Sequence, residues 1–343
     1  MVDITVRGAG IFGLSVAWTC LRRGASVRVI DPKGVGGGAS GGLVGALAPH
    51  IPENWNAKKA FQFESLMMAE PFWNGVEAAS GLPSGYARSG RLQPVENERG
   101  LELARAREDS AKALWQGQAT WQVIRAGQSK WEPASATGWL IHDTLSARMA
   151  PRLAGASLAG AIVKAGGKIV EEGPEEGKTI WATGVQGLND LSSDLGQEVG
   201  NGVKGQGALL EYGASDLPQL FAGGVHIVPH VNGTVAIGST SERDYSEPDT
   251  VDEQLEDVIA KARAACPALM DAPVVERWAG VRPRAKSRAP MLGPWPDREG
   301  HFVMNGGFKI GFGMAPKLAQ VMADLVLDGH DAIPQGFRVS DNL

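Results

Sequence analysis

The chain has 343 residues, of which 43% are hydrophobic and 21% charged, a composition typical of a globular protein with one or two domains. A net charge of -5 and the lack of a Lys/Arg run exclude a basic face for nucleic acid, because phosphate neutralisation needs one. Two cysteines, no signal peptide and no long apolar run predict no metal site, no membrane span and a reduced, cytoplasmic setting.

The first 31 residues predict a β-α-β unit with a glycine turn between the first strand and the helix. Apolar residues at helical spacing follow the turn, and a glycine then ends the helix. The elements are a strand at 3–7, the turn at 8–13, a helix at 14–23 and a second strand at 26–30.

The glycine turn has the spacing of a dinucleotide site, Gly8-x-Gly10-x-x-Gly13. The first glycine permits the tight turn, the second lets a pyrophosphate approach the backbone, and the third lets the helix pack on the strand. The pyrophosphate would meet free N–H groups at the helix N-terminus. Asp31 closes the second strand, where its carboxylate would accept hydrogen bonds from ribose hydroxyls.

The middle of the chain alternates between helical patterns and irregular β-like stretches. A glycine-rich loop precedes a helix in which Pro71 should cause a kink or a restart. The predicted segments are the loop 34–45, helices 57–79 and 145–164, β runs 90–95 and 138–141 in an irregular region 85–143, and strands 168–170 and 179–182.

The last third begins with a hairpin signal at Asn232-Gly233, where both turn residues should take positive φ. Thr250 and Glu253 have capping-box spacing and should open a helix that reaches about residue 266. The remaining predicted segments are hairpin strands 225–231 and 234–238, strands 274–278 and 301–304, and a last helix 315–327.

This order predicts an α/β fold class: a Rossmann-type dinucleotide-binding domain with an inserted α+β substrate domain built on a mixed β-sheet. The nucleotide-binding domain is predicted to be discontinuous. It comprises residues 1–50, 144–202 and 276–343, and the substrate domain comprises 51–143 and 203–275.

Two further glycine clusters favour FAD over a nicotinamide cofactor. Residues 36–42 follow the second strand, where backbone can approach a large ring or its pyrophosphate. Residues 305–313 lie between a strand and the last helix, and so aim a helix N-terminus at an electron-rich group. A reduced flavin carries negative charge near N1 and the C2 carbonyl, which such a positive helix end would stabilise.

The chain resembles the FAD-dependent D-amino-acid oxidase and glycine oxidase family, which includes sarcosine-oxidase-like amine oxidases. The resemblance covers most of the chain and is clearest at its ends. The similar segments, in family order, are 8–18 with Arg23-Gly24 and Asp31, 39–49, 181–184, 203–207, 227–229, 237–240, 278–283, and the terminal glycine loop with Met314-Ala315-Pro316.

The resemblance implies bound FAD and oxidation of a C–N bond to an imine. Arg282 matches the family arginine that binds the substrate carboxylate, and a guanidinium suits this role because it forms two parallel charge-assisted hydrogen bonds. No cysteine or histidine clearly matches a covalent attachment point, so we predict non-covalent FAD. Predicted cofactor-binding residues are Gly8, Gly10, Ile11, Phe12, Gly13, Asp31, Pro32, Ala39, Ser40, Gly41, Ala182, Thr183, Gly184, Gly307, Lys309, Ile310 and Gly311.

Three positions depart from the family pattern and predict a pocket unlike that of glycine oxidases. His226 replaces a tyrosine and is either a polar group facing substrate or a packed strand residue. Lys309, in a changed terminal loop, could contact flavin or substrate or face solvent. His230 stands where a basic residue is usual, and His50 is interpreted as loop structure. With Arg282, the first two are the predicted catalytic residues.

The predicted function is oxidation of a small amine or amino acid, with flavin reoxidised by dioxygen. The alternatives are a dehydrogenase that uses a quinone or carrier protein, an oxidase of the tRNA wobble-uridine modification type, a non-enzymatic FAD-binding protein, and a nicotinamide-dependent dehydrogenase. The predicted partners are thus a small-molecule substrate and an electron acceptor, without nucleic acid, and a homo-oligomer is left open.

Overall fold

The computed structural model describes residues 2–343 and contains two large β-sheets connected by helices. The helices are α1 (Ile11–Arg22), α2 (Ala57–Ser80), α3 (Glu98–Leu114), α4 (Pro151–Lys164), α5 (Gly184–Leu195), α6 (Gln254–Ala265) and α7 (Gly311–Ala323). The strands are β1 (Ile4–Arg7), β2 (Val27–Ile30), β3 (Gly45–Leu47), β4 (Arg91–Pro94), β5 (Trp121–Arg125), β6 (Trp139–Asp143), β7 (Ala147–Met149), β8 (Lys168–Val170), β9 (Lys178–Trp181), β10 (Gly200–Glu211), β11 (Gln219–Ala222), β12 (Val225–Pro229), β13 (Thr234–Gly238), β14 (Val274–Ala285), β15 (Met291–Pro294) and β16 (His301–Asn305).

The first sheet has six strands in the order β15-β16-β9-β1-β2-β8. All its pairs are parallel except β15 with β16, which is an antiparallel edge. Its helices α1 and α7 pack together, and Leu14, Trp18, Met314 and Leu318 join one large core. Because β1, β9 and β16 are neighbours, the loops after all three strands open at the same sheet edge.

The second sheet has eight strands in the order β14-β10-β13-β12-β11-β4-β6-β5. It is mixed, with β11 and β4 parallel and the other pairs antiparallel. Both sheets agree with the predicted α/β class with a mixed second sheet. Strand pairing alone assigns 200–211 and 274–285 to the eight-stranded sheet, whereas the domain boundaries placed at 202 and 276 stay a prediction.

The predicted β-α-β unit is present, with α1 beginning at Ile11 rather than residue 14. Other local expectations differ from the structure. Helix α2 is continuous from Ala57 to Ser80, so it does not restart at Pro71, and the alternative of a kink there stays a prediction. Residues 147–149 form strand β7, so the helix predicted from 145 begins only at Pro151.

The start of helix α6 and the loop of the hairpin β12–β13 also differ from the prediction. Helix α6 begins at Gln254 without a capping box from Thr250; instead, the Asp252 carboxylate accepts the Gln254 N–H at 3.0 Å. In the hairpin β12–β13, the backbone N–H of His230 donates to Thr234 O at 2.8 Å across three loop residues. The loop is therefore longer than the predicted two-residue turn. Of its three residues, Gly233 alone has positive φ, at 81°.

Candidate functional site

The amino-terminal glycine turn is held so closely that two of its glycines have no room for a side chain. A Cβ on Gly13 would lie 1.9 Å from Gly8 O, and a Cβ on Gly8 would lie 2.4 Å from Ala182 O. Gly8 also has φ of 105°, which disfavours other residues. By contrast, a Cβ on Gly10 would meet only Ser40, at 3.1 Å, so this position faces the second loop and not the packed core.

Asp31 and Ser40 fix the start of α1 from two sides. The Asp31 carboxylate accepts the N–H of Ala9 at 2.7 Å and of Lys33 at 2.9 Å. The Ser40 hydroxyl accepts the Ile11 N–H at 2.9 Å. Each Asp31 oxygen retains a lone pair, so ribose hydroxyls can still donate to it. Pro32 follows in the exposed turn after β2.

A cleft of about 420 Å³ opens between this turn and the second glycine loop. The short 3-10 turn Ala39–Gly41 forms one side of it. The lining residues are Ala9, Ile11, Leu14, Val35, Gly36, Gly37, Gly38, Ser40, Gly41, Pro151, Arg152, Gly155, Trp278 and Phe312. A cleft bounded by a helix N-terminus and glycine backbone fits a pyrophosphate with its attached ribose and ring.

The carboxy-terminal glycine loop packs directly on the amino-terminal turn. A Cβ on Gly307 would lie 2.6 Å from Phe12 Cζ, and one on Gly311 would lie 3.8 Å from both Ile11 and Phe12. Ile310 is the N-cap of α7 without a side-chain cap, so the free N–H groups of this helix begin beside the turn. The two glycine-rich segments, distant in sequence, therefore bound one site.

Asn305 connects this loop to the segment 182–184 after β9. Its side-chain amide donates to Gly184 O at 2.8 Å, and its carbonyl oxygen accepts the Gly306 N–H at 2.8 Å. The nearby Thr183 hydroxyl is buried without a hydrogen-bond partner in residues 2–343. A buried polar atom of this kind needs a partner, and a bound cofactor can supply one.

One face of the eight-stranded sheet lies beside this site and carries an unusual number of glycines. Directly paired residues of antiparallel strands point to the same face, and Trp278, Gly207, Gly238 and His226 form one such row across four strands. Gly280 lies next to Trp278 on this face, where its Cβ would be 2.4 Å from the indole. The glycines therefore let large side chains lie flat on the sheet.

Arg282 lies on this face of the sheet, two residues beyond Gly280 along β14. Its guanidinium covers Gly205 so closely that a Cβ there would be 1.8 Å from Nη1. The same nitrogen donates to Thr240 O at 3.4 Å, and none of residues 2–343 forms an ion pair with Arg282. Burial lowers the pKa of Arg282 to about 10, although the charge of Glu242 opposes this shift. A buried cation without a close carboxylate is a candidate anion site.

His226 and Lys309 lie in the electrostatic range of Arg282. Burial, together with Arg91, Lys309 and Arg282, lowers the pKa of His226 to about 3, so its imidazole is neutral at physiological pH. The ring packs on Phe221, and Nδ1 is buried without a partner among the described residues. Partial desolvation and the charge of Arg282 also lower the pKa of Lys309, although much of this residue is accessible to solvent.

His50 and His230, the two other histidines considered in the sequence analysis, contact protein groups around them. His50 uses its backbone N–H to donate to Gln62 Oε1 at 2.7 Å, in agreement with a loop role. His230 is 5% exposed, with Nε2 lacking a partner in residues 2–343. Burial and the charge of Arg148 lower its pKa to about 4, and a hydrogen bond to the Leu43 backbone opposes this shift.

We expect His230 to make the protein less stable in mild acid. Its imidazole takes a proton below pH 6.5 in the unfolded chain, but only near pH 4 in the folded protein. Its contribution is therefore fully present above pH 6.5 and is lost between pH 6.5 and 4, at up to about 1.4 kcal/mol per pH unit. Urea unfolding across this range should show a shallower fall for His230→Gln than for wild type.

Exposed His330 provides the matched control. The slope of unfolding free energy against pH in His330→Gln is the reference for loss of a histidine outside the core. An unchanged slope in His230→Gln would contradict a neutral, buried imidazole at this position.

Sequence reasoning missed several residues that shape the site. Trp278 appeared only within a family motif, yet it lines the cleft and lies against Gly42. Gly205 and Gly207 were likewise used only as parts of a family motif. Their alternation along β10 indicates a sheet face without side chains at these positions. Residues 2–343 contain no cluster of His, Cys, Asp or Glu suited to a metal ion, and no helix formed by them could span a bilayer.

The comparisons with known proteins agree with this geometry. A family model described as FAD dependent oxidoreductase matches residues 3–325. Glycine oxidase from Pseudomonas aeruginosa is 27% identical over 77% of this chain and 64% of its own length. The tRNA 5-methylaminomethyl-2-thiouridine biosynthesis bifunctional protein MnmC from Maricaulis maris is 27% identical over 98% of this chain and 54% of its own length.

This chain therefore spans between about half and two thirds of these two relatives. A solved structure of glycine oxidase from Geobacillus kaustophilus superposes with a TM-score of 0.84 over 98% of both chains. Its sequence is 20% identical, so this similarity describes the fold alone.

Proposed function

Because the chain belongs to the family of FAD-dependent oxidoreductases, we propose that it oxidises a small amine or amino acid at its C–N bond. The observation that carries this proposal is the Arg282 guanidinium, half-buried and free of ion pairs in residues 2–343, on the glycine-rich sheet face beside the cofactor cleft. A guanidinium so placed offers a carboxylate two parallel charge-assisted hydrogen bonds.

The residues present fit FAD. The turn at Gly8–Gly13 and the Ser40 loop would hold the pyrophosphate, Asp31 the ribose, and the start of α7 the ring. We propose that the cofactor is held without a covalent bond, because Cys20 and Cys266 are both buried in hydrophobic core clusters. FAD held by these residues would supply the acceptor for a hydride from the substrate carbon, and dioxygen is the proposed final electron acceptor.

The chain's own residues supply orientation and a particular charge environment. Arg282 fixes the substrate carboxylate and so points the amine-bearing carbon away from β14. The positive charges of Arg282 and Lys309 disfavour an ammonium group, so the amine binds in its neutral form. His226 has a pKa of about 3 and is therefore too weak a base to remove the ammonium proton at neutral pH.

The test is turnover by the FAD-loaded protein on a panel of glycine, sarcosine and D-amino acids, with hydrogen peroxide as the readout in air. An anaerobic arm records loss of the oxidised flavin spectrum on mixing with each amine. Peroxide formation with anaerobic bleaching supports an oxidase. Bleaching that air does not reverse, but a quinone does, supports a dehydrogenase instead. No bleaching with any amine would contradict the proposal.

A second candidate function is oxidation of a modified nucleoside in tRNA. The observation that favours it is the match of 98% of this chain to the MnmC protein. The net charge of -5 opposes it, since tRNA binding needs a basic surface. A gel-shift assay with bulk tRNA at low salt separates the two candidates, because the amine oxidase should leave tRNA unshifted.

A further inference from the structure

The strand that carries Arg282 places a second arginine on the same side of the sheet. Alternation along β14 gives Arg282 and Arg284 one face, about 7 Å apart along the strand. The terminal loop lies against this end of the strand: the Phe308 N–H donates to Pro283 O at 2.9 Å, and Gly307 forms a β-bridge with Arg284. The next residue of this loop, Lys309, therefore also lies near Arg284.

The Phe308 ring is close to both of the added cations, Arg284 and Lys309. Arg284 Cζ is 5.9 Å and Lys309 Nζ is 5.6 Å from the ring centroid, both within cation–π range. A contact with an aromatic ring attracts each cation but does not neutralise its charge. Phe308 itself has φ of 43°, a conformation that is rare outside glycine, so the loop is held in a specific shape.

Neither Arg284 nor Lys309 has an acidic partner. Within residues 2–343, neither side chain forms an ion pair or a hydrogen bond, whereas several other arginines pair with carboxylates, as Arg277 does with Glu256 at 2.9 Å. The charge of the Glu242 carboxylate acts on Arg282, where it raises the pKa. That carboxylate is already engaged by Gln206 Nε2 at 3.1 Å and Lys204 Nζ at 3.6 Å.

Arg282, Arg284 and Lys309 thus lie in one region, although a substrate with one carboxylate needs only one cation to balance its charge. A monocarboxylate with a neutral amine carries a single negative charge, which Arg282 matches. The second and third cations are left without a counter-charge, because neither Arg284 nor Lys309 forms an ion pair within residues 2–343. A second anion would relieve this excess and would gain charge-assisted hydrogen bonds.

We propose that the substrate is an amine carrying two carboxylates, with Arg282 binding the carboxylate next to the reacting carbon and Arg284 with Lys309 binding the second. This inference rests on the proposed amine oxidation and narrows its substrate class. A small diacid reaches both arginines because they are two residues apart on one strand face.

Binding of simple acids to the FAD-loaded enzyme tests the inference without turnover. The perturbation of the flavin absorbance spectrum gives dissociation constants for butyrate and succinate, which differ in one terminal group. Succinate should bind at least about tenfold more tightly. In Arg284→Gln this preference should fall about tenfold, whereas Lys286→Gln, which changes an exposed lysine further along the chain, should keep it. Flavin content and thermal unfolding establish that each variant is folded.

A turnover arm uses matched amines: D-2-aminobutyrate against D-aspartate, and sarcosine against iminodiacetate. The dicarboxylic member of at least one pair should show the higher kcat/KM, and Arg284→Gln should remove that advantage. Equal binding of butyrate and succinate, or an equal loss for both in Arg284→Gln, overturns the inference even if monocarboxylic amines are oxidised. A diacid preference without oxidation of any amine would instead refute the proposed function and leave the ligand class intact.

Discussion

Replacing Arg282 with Leu is expected to lower kcat/KM for the amino-acid substrate by about 30- to 3,000-fold. Removing one partner of a desolvated charge pair costs about 2–5 kcal/mol, and each 1.4 kcal/mol is a factor of ten. The loss should appear mainly in KM if Arg282 holds the ground state and transition state equally. Steady-state kinetics on the best amine of the panel measures both constants.

Two further variants separate charge from geometry. Arg282→Lys keeps a positive charge but loses the planar fork, so it should recover only part of the activity. Gly205→Ala keeps the arginine at position 282. The new alanine Cβ would lie 1.8 Å from Arg282 Nη1, so it must displace the guanidinium. We therefore expect Gly205→Ala to lose most of the same activity. Gly213→Ala, whose Cβ meets nothing within 4 Å, is the matched control.

Wild-type kcat/KM in Arg282→Leu would show that the substrate carboxylate binds elsewhere. A loss in Gly213→Ala as large as that in Gly205→Ala would show that the assay reports general damage to the fold and not the position of the guanidinium.

The parts of the fold that the sequence predicted are those in which local chemistry decides the structure. The turn at Gly8–Gly13 needs glycine for backbone contacts made within a few residues, and a strand and a helix flank it. The hairpin at Asn232-Gly233 is similarly local, so its strands were correct although its turn type was not. Such signals survive without knowledge of the tertiary contacts.

The missed elements are those whose apolar pattern is weak. Helix α3 buries only Leu101, Ala104 and Ala111 along its 17 residues, so most of its sequence is polar and its period is faint. Helix α5 contains two glycines, Gly184 and Gly187, and a third, Gly196, follows its end; these glycines obscured the helix in the sequence. Its Gly187 is required because a Cβ there would be 2.3 Å from the Thr183 hydroxyl.

The candidate site was predictable in its residue types but not in their arrangement. Resemblance to a family pointed to Arg282, His226 and Lys309, but only strand pairing places His226 in a row with Trp278. Arg284 carries no local signal at all. Its position follows from a bridge to Gly307, a contact between segments that the sequence does not relate.

Gly10→Val is expected to weaken FAD binding by about 100- to 1,000-fold while the protein still folds. The Gly10 backbone is extended, with φ of -81° and ψ of -179°, so a β-branched residue is tolerated there. Its Cβ would lie 3.1 Å from Ser40 Oγ and would fill the approach to the helix N-terminus. A pyrophosphate pushed away would lose two charge-assisted hydrogen bonds, worth about 1.5–2 kcal/mol each. Titration of the FAD-free protein by flavin fluorescence measures this loss.

The neighbouring glycine makes the experiment specific, because Gly13 serves packing and Gly10 serves the ligand. In Gly13→Val a Cβ would lie 1.9 Å from Gly8 O, so the FAD-free protein itself should unfold at a lower temperature. Gly10→Val should unfold within about 2 °C of wild type without FAD, and should lose only the rise in unfolding temperature that bound FAD produces. Normal FAD affinity in Gly10→Val would mean that the pyrophosphate does not approach this turn. In that case the convergence of Phe12 with Gly307 would be a packing contact and not the wall of a cofactor site.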